Sequence, residues 1–539
     1  MTENNQNEEQ RIVEEIEDLY DTDYEIGQDN IQAMGMDLHN PVFPVSAALI
    51  LIFVILSLLF PEQSNEILDN TRVWIGEQFD WLFLSAGNIF VLFCLALIVL
   101  PVGKIRIGGE QATPDFSLPS WFAMLFAAGM GIGLMFWAVA EPVGYFTEWF
   151  GTPLNVDGGD ASASLGATMY HWGLHPWAIY GVVALSLAFF AYNKGLPLTI
   201  RSTFYPLIGD RCWGPIGHVI DTLAVLATLF GLATSLGLGA QQAAGGMNFL
   251  FGIDGGLTTQ IAIIIGVTAI ALISVLRGIH GGVRVLSNIN MIAAILLLGF
   301  VMVAGGLIAF LQNTGTTLGG YFQYLLPLSN PIGREDDTFY HSWTIFFWAW
   351  WISWSPFVGM FIARVSRGRT VREFMTAVLI VPTVVTVFWM SAFGGNGINQ
   401  VVQGVGTLAA DGITDSALAL FQMLENLPFT QITSFLAICL VLVFFITSSD
   451  SGSLVLDSIT AGGKTDAPTS QRVFWVVIEG LIAGVLLAVG GDAALSALQA
   501  GSVSTGLPFV IVLLVMCVSL AIGLRHELVL LRHGRAQVA

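Results

Sequence analysis

The sequence predicts an all-α integral membrane protein with twelve transmembrane helices, and three observations carry that expectation. The 539 residues are 55% hydrophobic and only 11% charged. Soluble domains carry about 25% charged residues, so this chain exposes its apolar surface to a bilayer. Twelve apolar segments follow one another along the chain, and lysine and arginine alternate between their connections.

The segments are 43–60, 81–101, 120–149, 169–192, 218–245, 259–276, 286–311, 340–363, 374–395, 433–450, 473–491 and 508–524. About 20 apolar residues cross the hydrocarbon core. The even-numbered connections and the C-terminal tail hold sixteen of the nineteen basic residues, from Lys104 and Arg106 through Arg364, Arg367, Arg369 and Arg372 to Arg535. The odd connections hold Arg72 and Arg334 alone. A miscounted helix would scramble this alternation, so both termini are expected in the cytoplasm.

The net charge of −20 is concentrated at the start. Residues 1–39 carry twelve Asp or Glu against Arg11 alone. Such a tail repels nucleic acid and anionic lipid. Ile12, Val13, Ile16, Leu19 and Tyr20 fall at helical spacing, which leaves a short amphipathic helix and disorder equally open. No basic, cleavable leader precedes the first apolar segment. The four cysteines are scattered without metal-ligand spacing.

The tail is therefore read as residues 1–42, followed by two peripheral helices and an inner loop (43–119). A first five-helix unit covers 120–311, an outer loop 312–339 and a second five-helix unit 340–524, and a short cytoplasmic tail ends the chain (525–539).

Carriers place solutes where membrane helices are discontinuous, and two segments carry breaking residues. The third has Gly129, Gly131 and Gly133 at alternate positions, and each glycine costs about 1 kcal/mol in a helix interior. Unwound backbone there offers amides and carbonyls to a carboxylate or a cation. The eighth has Ser355-Pro356 within WTIFFWAWWISWSPFVGMFIAR, and Pro356 removes an amide donor. Trp343, Phe347, Trp350 and Trp354 form one face of it, with Trp351 beside them. Trp172, Trp177 and Tyr180 form a second aromatic group around Pro176. Aromatic faces in mid-membrane suit a quaternary ammonium group.

The third and eighth helices are five apart, an odd number. Helices 3–7 and 8–12 are therefore expected to form an inverted repeat around a midplane site. In the tenth, Thr447, Ser448 and Ser449 precede Asp450; hydroxyl oxygens suit Na⁺, and back-bonding to the helix is the alternative. Glu141 and Asp450 are intramembrane acids available for ion coupling or for structural pairing, and His171 and His175 are candidate proton relays. No metal triad, nucleophile–base motif or phosphate loop points to an enzyme.

At GMGIG with AEP (129–133, 140–142), HWGLHPWAIY (171–180), TLFGLATSLGLGAQQ (228–242), GGVRVLSNIN (281–290), WWISWSPFVGMFIARVSRGRTVREF (350–374) and TSSDSGS (447–453), the chain resembles the betaine/choline/carnitine transporter family. The resemblance runs from about residue 42 to 524. It implies a LeuT-type 5+5 core after two extra helices, an inner (plasma) membrane location and a homotrimer. It implies an onium-binding box from Trp172, Trp177, Tyr180, Trp350, Trp351 and Trp354. It also implies a Na⁺ site from Ala127, Met130 and Phe444 backbone oxygens with the Thr447 and Ser448 hydroxyls. A second Na⁺ position in such transporters matches Thr228 and Phe357, but Leu232 stands where a further hydroxyl is needed, with Ser235 a possible substitute.

The expected activity is Na⁺-coupled symport of a zwitterionic compatible solute. Glycine betaine leads, and dimethylsulfoniopropionate, ectoine and carnitine stay open. H⁺-coupled choline uptake is the first rival. The short C-terminal tail departs from osmosensing relatives.

Overall fold

The computed structural model describes residues 3–129, 131–277, 280–413 and 415–538. Most of that chain is helical, and a two-stranded antiparallel hairpin, Asn30–Ala33 with Met36–His39, is its one sheet among the described residues. Ten helices are long and apolar enough to cross a membrane, which makes this a multi-pass membrane protein. The third apolar segment is absent from those ten because it is two helices, Leu118–Gly129 and Ile132–Phe146. The eleventh and twelfth are counted there as one span, Thr469–His533, although a 3₁₀ turn at Gly491–Ala493 separates them. Gly491 takes φ +51° in that turn, a conformation open to glycine at no steric cost.

Burial separates a core from a lipid-facing rim. The spans at 161–192 and 215–251 are 89% buried. Those at Leu257–Arg277 and Val285–Ala304 are only 33% and 22% buried. Leucine and isoleucine on their outer faces, such as Ile270, Ile273, Ile292 and Leu296, are exposed. In a bilayer such faces meet acyl chains and need no protein cover.

The structure corrects several expectations. The eighth helix runs unbroken over Ile345–Val365 with Pro356 inside it. The Ser355 hydroxyl donates to the Ile352 carbonyl at 2.7 Å. That carbonyl is the acceptor Pro356 cannot serve, so the hydrogen bond is replaced locally and the helix continues. The irregular stretch lies earlier, a π-helical turn at Tyr340–Thr344. The outer connection at 312–339 is helical as far as Ser329, in the Leu307–Ser329 helix packed on Ala161–Trp172. The last helix spans Ala494–Val538, so the C-terminal tail extends it instead of leaving it.

The acidic tail is also ordered. Glu3–Leu19 is a helix whose Val13 and Ile16 are buried. Tyr20 bonds His526 Nδ1 at 3.0 Å. Tyr24 stacks on Trp213 at 4.2 Å and bonds Arg201. Asp37 pairs with Lys464, and its amide donates to Gln471. The tail thus straps three stretches distant in sequence, around 201–213, 464–471 and 526.

Candidate functional site

The alternating glycines do interrupt their helix. Leu118–Gly129 ends and Ile132–Phe146 begins across Gly131, whose backbone is fully extended at φ −165°, ψ −174°. Two helix ends therefore meet inside the protein. Their terminal amides and carbonyls lack intrahelical partners. Gly131 faces Trp354, and a Cβ at Gly133 would stand 2.6 Å from Trp350 and 3.1 Å from Trp172. Glycine is what lets the indoles approach this backbone.

Beside the break lies a small cavity of about 30 Å³, lined by Ala128, Trp172, Pro176, Trp177, Tyr180, Trp351, Trp354 and Thr386. Five of the six expected box aromatics face it. Trp172 meets Trp351 edge-on, with ring centroids 4.8 Å apart. Tyr180 lies 6.4 Å from both Trp351 and Trp354. The buried Tyr180 hydroxyl and Trp354 Nε1 have no hydrogen-bond partner among the described residues. The cavity is thus walled by aromatic rings, the surface a cation favours, and two donors on its lining residues lack partners among the described residues.

Trp350 is the sixth and does not line this cavity. Its ring is stacked behind Trp351 at 4.7 Å, and its Nε1 donates to Gly231 O at 3.3 Å and Ser235 Oγ at 3.2 Å. Successive helical residues point about 100° apart, so only one of this neighbouring pair can face the cage.

A buried network holds the cage. Trp172 Nε1 donates to Glu141 Oε2 at 2.6 Å. His171 Nδ1 lies 2.6 Å from Glu141 Oε1, and Tyr145 donates to the same oxygen at 3.1 Å. Trp351 Nε1 donates to the His171 carbonyl at 2.9 Å. His175 sits apart, against Asn88 and Trp348. Asp450 pairs with Arg472 at 2.9 Å.

A second cavity, about 140 Å³, adjoins the first across Ala128 and Trp354. Its lining brings together Ala127, Phe444, Thr447 and Ser448 with Trp354, Phe357 and Ser451. Met130 lies outside the described residues. The Thr447 hydroxyl donates to Val443 O at 3.0 Å and Phe444 O at 3.2 Å. Its lone pairs stay available, so back-bonding and cation coordination are compatible. These are hard oxygen donors, the type an alkali cation takes, and the structure fits Na⁺ on that count.

The second Na⁺ position fares differently. Phe357 lines the larger cavity, but Thr228 does not; it is fully buried and donates to Ala224 O at 2.7 Å. Leu232 packs its methyls on Gly452. The Ser235 hydroxyl accepts from Trp350 and donates to Gly231.

Sequence reasoning missed Thr386, which no motif marks, and Ser287 and Ser451, which stand unremarked inside quoted motifs.

The chain is similar to known membrane carriers. The family described as BCCT, betaine/carnitine/choline family transporter, matches residues 41–529. A "Glycine betaine transporter 1" of Vibrio parahaemolyticus is 64% identical, over 94% of this chain and 97% of its own. A glycine betaine/proline/choline/ectoine transporter of the same organism is 60% identical, covering 94% and 91%. The glycine betaine transporter OpuD of Bacillus subtilis is 42% identical, covering 90% and 94%.

Proposed function

Because this chain belongs to the betaine/carnitine/choline transporter family, and is a transporter and not an enzyme, we propose that it is a Na⁺-coupled symporter of zwitterionic onium solutes, glycine betaine first. The observation that carries this reading is the cage of Trp172, Trp177, Tyr180, Trp351 and Trp354 set against the helix break at Gly131. A trimethylammonium group lies against the indole faces, each such contact being worth roughly 0.5–2 kcal/mol. The solute carboxylate takes the free Trp354 and Tyr180 donors and the amides at the start of Ile132–Phe146.

One Na⁺ is assigned to the adjoining cavity, held by the Ala127 and Phe444 carbonyls and the Thr447 and Ser448 hydroxyls. Trp354 borders both cavities, so ion and solute share a wall. That shared wall is a physical route for coupling, since each occupant biases the position of the same side chain. Leu232 supports a single Na⁺ per cycle.

In this reading twelve helices cross the plasma membrane with both termini in the cytoplasm, as helices 3–7 and 8–12 in a LeuT-type inverted repeat, and three chains associate. The positive residues cluster accordingly. The larger cavity, bordered by Ser287, Phe361 and Ser451, then faces inward.

The relative named for proline, choline and ectoine favours a broad spectrum over betaine alone. Tryptophan fluorescence of the purified protein, titrated with betaine, choline, proline, ectoine, carnitine and dimethylsulfoniopropionate, tests the proposal. Saturable betaine quenching that tightens with Na⁺ supports it. Binding indifferent to Na⁺, or absent for every onium solute, overturns it.

A further inference from the structure

Three polar groups converge on the buried Glu141 carboxylate beside the cage: Trp172 Nε1 and the Tyr145 hydroxyl donate to it, and His171 Nδ1 lies 2.6 Å from Oε1. With the His171 proton on Nδ1 the carboxylate receives three donors and gives none, and it is then ionised. Its charge bears on a single cage wall. An indole whose N–H is held by an anion gains electron density in its ring, and the ring's negative face is what attracts a cation. The surroundings are fully buried, so little solvent screens the effect.

We propose that Glu141 is a positioning and tuning residue for the cage. It holds Trp172 edge-on to Trp351 and makes the Trp172 face more electron-rich toward the onium group. Selection then rests on the positive charge of the solute and not on its shape alone. His171 extends the same unit. Its ring bridges Glu141 to Thr344 Oγ1 at 2.9 Å, and its carbonyl anchors Trp351. One buried pair therefore fixes two indoles of the cage.

The inference rests on the reading of Trp172 as a wall of the solute site, and the test separates the two. Radiolabelled glycine betaine binding is measured on the full-length protein for wild type, Glu141→Gln, Trp172→Phe, the double variant and Trp172→Ala. Glu141→Gln is expected to weaken binding roughly 3- to 10-fold when Trp172 is present. In the Trp172→Phe background the loss is expected to be much smaller, because the N–H it acts on is gone and the His171 contact alone remains. Competition by 3,3-dimethylbutanoate, which replaces the quaternary nitrogen by carbon, is expected to be unaffected by Glu141→Gln. Equal losses in both backgrounds, or an equal loss for the isostere that lacks the onium charge, overturn the tuning role. Wild-type affinity in Trp172→Ala instead overturns the cage itself. Should Glu141→Gln fail to fold, Glu141→Asp withdraws the carboxylate by one methylene; it is expected to weaken betaine binding, and wild-type affinity there overturns the proposal.

Discussion

The Ser355 hydroxyl stands 2.7 Å from the Ile352 carbonyl and fills the place that Pro356 leaves without an amide. This bond lets an aromatic-rich helix pass straight through a proline and keeps Trp351 and Trp354 on one continuous support. Ser355→Ala is expected to cost about 1–2 kcal/mol, the penalty of a buried carbonyl without a partner. Thermal unfolding in detergent checks it, and an unchanged midpoint contradicts the compensation.

Trp354 borders both cavities, so its loss damages two sites at once. Trp354→Ala is expected to raise the betaine Kd roughly 10- to 30-fold, as expected for a desolvated cation–π contact of about 2 kcal/mol. It should also weaken the Na⁺ dependence of binding. A titration with wild-type affinity rejects the cage.

The proposed single-Na⁺ cycle rests on Leu232, which offers no oxygen one turn from Thr228. Uptake by the wild-type protein is expected to follow Na⁺ hyperbolically. Leu232→Thr, which restores a hydroxyl one turn from Thr228, is the variant expected to change that cooperativity. A sigmoidal wild-type curve contradicts a single site.

The N-terminal strap has a pH dependence set by His39. Burial, with Arg201 and His218 nearby, lowers its pKa to about 3. A free histidine titrates near 6.5. The undocked tail therefore binds the proton first as pH falls. Docking is complete above about pH 6.5 and weakens progressively from there toward about 3. Hydrogen exchange of Asn30–His39, corrected for intrinsic rates, should rise as pH drops from 8 to 5. Exchange that stays constant contradicts this.

How far the sequence could be read depended on the range of the cause. Gly129, Gly131 and Gly133 announce their break because glycine's backbone cost is a local property. Pro356 misleads for a related reason. The usual consequence of a proline is known, but the rescue depends on a side-chain rotamer at Ser355. The aromatic content of the cage was legible, yet Trp350 and Trp351 could not be told apart until neighbouring helices fixed which face was inside. The tail was least legible. Val13, Ile16 and Tyr20 showed the spacing, but the partners that order the strap include Lys464, 427 residues from Asp37. Charge in sequence reads as repulsion and solvation until such a partner is in place.

Thr447 and Ser448 line the cavity that Trp354 borders, and the proposed Na⁺ coupling rests on them. Thr447→Ala with Ser448→Ala is expected to abolish Na⁺ stimulation of uptake while onium binding at the cage persists at reduced affinity. Sodium activation unchanged in that double variant rejects the assigned site.

Uptake of glycine betaine into proteoliposomes, driven in turn by an imposed Na⁺ gradient and by an imposed pH gradient without Na⁺, tests the coupling most directly. Concentrative accumulation is predicted under the Na⁺ gradient and none under the pH gradient alone. Accumulation driven by the pH gradient in the absence of Na⁺ would contradict it.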